Sequence, residues 1–161
     1  EHIRNYLEED STKIEDNNIE RWKARSKVEE DGQGIEKNEL WLAHTRYETS
    51  KIEQEEDMDA LSSYGDRGEA IASKAEVSHV TLISKTSSEN LAYKLSNATW
   101  DISIIPTPVA WWHGTTIIIE NLFYNTPVRQ KFLKSTQTEY FYCYDVFLWY
   151  ALMHRDKHWE I

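Results

Sequence analysis

The sequence predicts an α+β fold in a single domain, and three observations carry the prediction. Runs of β-branched residues separated by turn formers fill the stretch from Val77 to Glu120, while segments with helical spacing or helix-start signals flank it. A length of 161 residues suffices to bury one core and leaves too little for a second domain of ordinary size. Only 5 glycines occur, below the usual share of about 7%, and they gather at Gly32 and Gly34, at Gly65 and Gly68, and at Gly114. Such economy marks three places where the backbone needs unusual φ or a close approach.

The opening stretch Glu1 to Asp10 has helical spacing, with Ile3 and Leu7 on one face and Glu1 and Asn5 four apart on another. On spacing alone this pair is either a solvated helix face or a carboxylate base beside an amide oxygen able to ligate Mg²⁺. From Lys13 to Glu30 the chain is expected to be extended. The turn Glu30-Asp31-Gly32-Gln33-Gly34 follows, and Ile35 to His44 is expected to be a helix with Leu40 and Ala43 inward. An acid-rich run from Thr45 to Tyr64 reads as a solvated helix or loop.

The pair Gly65 and Gly68 precedes a helix predicted over Glu69 to Lys74. Glycines before a helix form either an ordinary turn or a phosphate cradle of free N–H groups. Strands are predicted at Val77 to Lys85, Leu91 to Leu95, Ile102 to Ile105 and Thr115 to Glu120, with Pro106 and Pro108 breaking the meander and Gly114 starting its final strand. Pro127 suits the first turn of a helix capped by Thr126. Tyr140 to Met153, apolar apart from Asp145, predicts a buried core helix rather than a membrane span. His154 and His158 have helical spacing but no third ligand nearby, and are expected at the surface.

Charge and cysteine usage exclude some classes. Against 28 acidic residues stand 18 Lys+Arg, a net charge of −10 that opposes nonspecific binding to nucleic acid or anionic lipid, so any DNA contact needs a local basic patch. No apolar run reaches the roughly 18 residues of a spanning helix, and no membrane association is expected. The lone Cys143 excludes an internal disulfide, points to a reducing intracellular setting, nuclear or cytoplasmic, and is expected to be buried as a small hydrophobe. Nothing in the sequence explains the 7 tryptophans.

In this order the pieces resemble the N-terminal ATPase domain of the MutL family of DNA mismatch-repair proteins, which are GHKL (Bergerat-fold) ATPases. The resemblance lies in Thr49-Ser50-Lys51, Gly65-Asp66-Arg67-Gly68-Glu69-Ala70 with Ala72-Ser73, Gly114-Thr115-Thr116, and Asn121-Leu122-Phe123-Tyr124-Asn125-Thr126-Pro127 with Arg129, Lys131, Phe132 and Leu133. It implies a two-layer α/β sandwich with a mixed, mostly antiparallel sheet and helices on one face. It also implies one domain over residues 1–161, ending before the family's second subdomain, with a nucleotide lid at 45–64.

The resemblance implies roles as well. Glu1 matches the general base, and Asn5 the ligand of Mg²⁺ on the phosphates of ATP. Glu30 matches the carboxylate that receives the adenine amino group, followed by Gly32 and Gly34. Thr49, Ser50 and Lys51 match the start of the lid; Gly65, Arg67, Gly68 and Glu69 match its phosphate-cradling end. Thr115 matches the threonine behind the adenine pocket. Arg129 and Lys131 are the candidate DNA-facing patch, and the implied parent is a homo- or heterodimer of MutL-type subunits that contacts DNA weakly.

Several positions depart from the pattern. Glu30 is a methylene longer than the family's aspartate, Asp66 replaces an aromatic in the phosphate cradle, Asp10 replaces a helix-ending glycine, and Tyr47-Glu48 replace His-Ala. Asp16 and Asn18 fall at inward positions, where an unpaired polar group costs on the order of 1–3 kcal/mol. The expectation is Mg²⁺-dependent ATP binding with little or no turnover in the isolated chain; the alternative is a non-catalytic nucleotide-binding or interaction module on the same fold.

Overall fold

The computed structural model describes residues 13–17, 25–41, 70–97 and 105–160. Strands β1 (Lys13–Asn17), β2 (Arg25–Glu30), β3 (His79–Lys85), β4 (Ala92–Ser96), β5 (Thr107–Val109), β6 (Gly114–Glu120) and β7 (His158–Glu160) form one sheet in the order β5-β4-β3-β6-β2-β1-β7. Helices α1 (Ala70–Ala75), α2 (Pro127–Phe132) and α3 (Thr136–Met153) complete the described elements. All the strand pairs are antiparallel except β1 with β7, so the sheet is mixed and mostly antiparallel, as expected.

Register explains where the core sits. Val28, Ile117, Leu82 and Leu95 lie opposite one another on β2, β6, β3 and β4, and because side chains alternate along a strand, the four share one face. Leu82 and Leu95 are fully buried, each contributing about 1.5–3 kcal/mol through the apolar surface removed from water. Val80 joins them two residues along β3, and Leu40 closes over the cluster with Ile35, Ile71, Ala75, Tyr93 and Trp159. Ile71 and Ala75 are four apart on α1, which turns both onto the same side. Asn97 fastens this layer: its side chain accepts from the Val80 N–H at 2.6 Å and donates to the carbonyls of Ala75 and Ser78 at 2.7 and 3.1 Å. The amide is thereby committed to joining α1, β3 and the end of β4.

Several expected elements differ. Residues 35–41 form no helix; Leu40 N–H reaches the Glu36 carbonyl in a single turn, and Leu40 is buried as expected, while Ala43 lies outside the described residues. The segment Glu36 to Glu39 has no apolar stripe to hold a longer helix against the sheet. Of the strand expected at Ile102 to Ile105, residues 102–104 lie outside the described residues and Ile105 is exposed; β5 (Thr107–Val109) pairs with β4, and its Pro108 sits opposite Tyr93 at an edge position where proline is tolerated. Gly114 does begin the final strand of the meander, and β7 comes only after the helices and pairs with β1. Thr126 stands at the cap position of α2 without a side-chain capping bond.

The largest correction concerns α3. It forms, with the Ser135 hydroxyl accepting from the Thr138 N–H, yet of its side chains Phe147 alone is buried among the described residues. Phe141, Trp149 and Met153 are 53, 69 and 72% exposed, and Cys143 is exposed too. The helix is apolar on every side, so its pattern names no inward face, and among the described residues the core cluster includes Leu40 and is packed by Ile71 and Ala75 of α1 and by Trp159 of β7 instead. Phe147 meets the sheet edge-on at Trp159, with ring centroids 5.3 Å apart. The helix ends where the His154 N–H bonds the Tyr150 carbonyl, and His158 lies in β7, so the two histidines are not on one helical face. No described helix is long and apolar enough to cross a membrane.

Candidate functional site

Two of the three glycine places meet their explanation at the end of β2. Gly114 has φ +101°, and a Cβ there would run into the carbonyl of Glu30. Gly34 has φ +76°, and a Cβ there would run into the carbonyl of Lys85. Both conformations penalise L side chains, and both contacts are with rigid backbone. Gly34 lets the turn 31–34 close on the end of β3, and Gly114 lets the start of β6 close on the end of β2. Gly65 and Gly68 lie outside the described residues.

This closure buries a carboxyl group. Glu30 is 4% exposed and lies across the ladder from Thr115, which lies across from Ser84 on the other side. The Gly32 N–H donates to Glu30 Oε2. Glu30 Oε1 is buried and has no hydrogen-bond partner among the described residues. Burial pushes the Glu30 carboxyl above its ordinary 4.5; the Thr115 hydroxyl, the Gly32 N–H and the Thr115 N–H pull it partly back, and Asp31 adds to the rise. Thr115 acts on the carboxyl from across the ladder without closing a hydrogen bond on Oε1.

Behind Thr115 stands Ser84, fully buried. Its hydroxyl accepts from the Ile35 N–H at 2.7 Å, donates to the Gly114 carbonyl at 3.1 Å, and shares a hydrogen bond with Thr115 Oγ1 at 3.0 Å. Sequence reasoning passed over Ser84. The available signal was a hydroxyl at the inward position two after Leu82, itself two after Val80.

A second polar system lies on the opposite face. Glu29 accepts from the Thr116 hydroxyl at 3.2 Å and from Lys27 Nζ at 2.6 Å, and Thr116 accepts from Trp111 Nε1 at 2.9 Å. Lys27 Nζ lies 5.6 and 5.7 Å from the ring centroids of Trp111 and Trp112. Two of the unexplained tryptophans thus flank a cation, and each Glu29 oxygen is partnered.

Of the sequence-predicted site residues, Glu30, Gly32, Gly34 and Thr115 come together here. Glu1, Asn5, Thr49, Ser50, Lys51, Arg67 and Glu69 lie outside the described residues, as does the span 45–64. Arg129 and Lys131 are exposed on α2, with the Arg129 guanidinium 6.0 Å from the Phe123 ring centroid. The motif before them is a docking loop: Asn121 and Phe123 take φ of 55° and 63°, the Phe123 N–H bonds the Val77 carbonyl at 2.7 Å, and the Asn125 amide bonds the Glu76 carbonyl at 2.7 Å.

A buried carboxyl with one oxygen unpartnered among the described residues thus stands at a glycine turn on the end of a central strand. The family described as histidine kinase-, DNA gyrase B-, and HSP90-like ATPase matches residues 1–118. The chain belongs to that family. DNA mismatch repair protein MutL of Buchnera aphidicola is 43% identical over 113 residues, covering 70% of this chain and 19% of the relative. MutL of Baumannia cicadellinicola is 37% identical over 155 residues, covering 96% of this chain and 26% of the relative. The chain therefore spans a fifth to a quarter of the length of these curated relatives. Among solved structures, the Aquifex aeolicus MutL ATPase domain complexed with ADP superposes with a TM-score of 0.71 at 24% identity, over 98% of this chain and 55% of that one. The GHKL fold expected from the sequence is the fold observed.

The raised Glu30 carboxyl has a measurable consequence. A folded value above 4.5 means that the folded chain keeps this proton to higher pH than the unfolded chain does, so the group's contribution to stability is fully present below 4.5 and is lost as pH rises through the folded value. In urea unfolding at about pH 4.5 and about pH 7.5, Glu30→Gln is expected to gain stability relative to wild type at the higher pH. A difference independent of pH would contradict the burial argument.

Proposed function

We propose that the chain binds ATP with Mg²⁺ as the ATPase module of a MutL-like DNA mismatch-repair protein; slow hydrolysis belongs to the intact parent, and the isolated chain turns ATP over little or not at all. Family membership supports an ATP-binding ATPase module, and the single observation that carries the reading on this chain is Glu30 Oε1. A buried, unpartnered acceptor beside a Gly32 N–H fits a ligand edge that presents an N–H donor, as the adenine amino group does. Thr115 forms the wall behind the base, and Gly32 and Gly34 let the turn approach it.

The remaining roles follow the family pattern. Glu1 is the general base for the attacking water, Asn5 holds Mg²⁺, and the lid spans 45–64, with Thr49, Ser50 and Lys51 near its start and the phosphate-cradling Gly65, Arg67, Gly68 and Glu69 directly after it. Bound Mg²⁺ would neutralise charge on the phosphates; the protein's part is positioning and charge stabilisation. The whole assignment treats residues 1–161 as one domain. A dimer of MutL-type subunits is the proposed setting of the parent. One feature favours the alternative of a nucleotide-binding module without turnover: Asp66 brings negative charge to the cradle meant for a polyanion.

Calorimetric titration with a nonhydrolysable ATP analogue tests the reading. Weak binding that strengthens with Mg²⁺ is expected, with little or no phosphate release from ATP; no heat with or without Mg²⁺ would sink it. Equal affinity for the ATP and GTP analogues would remove Glu30 from its adenine role.

The exposed Arg129 and Lys131 form the proposed DNA-facing patch. Reversing both charges is expected to weaken an already weak, salt-sensitive affinity for duplex DNA; unchanged binding would exclude α2 from DNA contact.

A further inference from the structure

A hydroxyl group carries one proton and two lone pairs, so a buried serine with three partners must choose how to arrange them. Ser84 Oγ accepts from the Ile35 N–H at 2.7 Å, which occupies one lone pair. Its proton then goes either to the Gly114 carbonyl at 3.1 Å or to Thr115 Oγ1 at 3.0 Å. Thr115 pairs across the ladder with Ser84 on one side and Glu30 on the other, and its hydroxyl favours the charged form of the Glu30 carboxyl, so that choice is passed on.

If the Ser84 proton points to Gly114, Thr115 donates back to Ser84 and turns only lone pairs towards Glu30. That arrangement suits a neutral carboxyl, which donates to Thr115. If the Ser84 proton points to Thr115, the Thr115 proton is released towards Glu30. That second arrangement suits a carboxylate, with Oε2 held by the Gly32 N–H and Oε1 left as a bare acceptor. Burial strengthens each link of such a row and couples them.

We propose that Ser84 is a positioning residue for base recognition: by donating to Thr115 it sets the direction of the Ser84–Thr115–Glu30 row and presents Glu30 Oε1 as an acceptor to a ligand amino group. The proposal rests on the adenine reading above. A base bearing a carbonyl oxygen at the same place, as hypoxanthine does, demands the opposite direction and a neutral Glu30. Ser84 therefore contributes to discrimination between two ligands that differ in one group, without touching either. Its bond to Ile35 also fastens the glycine turn, a structural effect that would weaken both ligands alike.

The test compares ADP and IDP affinities by calorimetry in wild type, Ser84→Ala, Thr115→Val and the double variant, with thermal unfolding as the check on folding. Wild type is expected to prefer ADP, Ser84→Ala to lower the ADP-to-IDP affinity ratio about five-fold, and Ser84→Ala to leave the ratio unchanged when Thr115 is already valine. Should Ser84→Ala fail to fold, Ser84→Cys keeps an acceptor and a weaker donor and is expected to give an intermediate ratio. A wild-type preference for ADP that survives Ser84→Ala or Ser84→Cys intact overturns the role of Ser84 alone, as does an equal loss with Thr115 absent. A wild-type ratio near one overturns the adenine reading and this proposal with it.

Discussion

Burying one carboxyl at the end of β2 is the constraint to which the middle of the molecule conforms. Glu30 is almost fully removed from water, which disfavours its charged form. Offsetting interactions come from the Gly32 N–H and from Thr115, and both depend on backbone segments closing around the side chain. That closure in turn requires Gly114 to lie against the Glu30 carbonyl and Gly34 against that of Lys85, where no side chain fits.

The contrast with Glu29 separates structure from function. Adjacent residues on a strand point to opposite faces, and both glutamates are buried. Glu29 meets a lysine, a threonine and the aromatic pair beside them, so its charge and hydrogen-bonding capacity are accounted for within the fold. Glu30 has an oxygen with no partner among the described residues. A buried polar atom without a partner is costly, on the order of 1–3 kcal/mol, and a bound donor would relieve that cost. Ser84, fully satisfied by Ile35, Gly114 and Thr115, supports Glu30 from behind.

Much of this was legible in the residues. Runs of β-branched and apolar residues located β3, β4 and β6 closely because much of each strand is buried, and the Glu30–Gly32–Gly34 turn stood out through its glycines. What was not legible depends on partners distant in sequence. The pattern of α3 is apolar on every side, so it carried no information that Leu40, α1 and Trp159 would pack the core in its place. Pro108 reads as a breaker until an edge strand gives it a position with no need of its missing N–H. Ser84 reads as an ordinary polar residue in a strand, because its importance arises only when Thr115 and Ile35 arrive from segments about 30 and 50 residues away.

The central claim is that Glu30 Oε1 is the atom that reads the base. The most direct measurement is a crystal structure of the chain with bound ADP. The account predicts the adenine amino nitrogen about 2.7–3.2 Å from Glu30 Oε1, with Thr115 against the base. An adenine ring seated elsewhere, with Oε1 still unbonded, would contradict it.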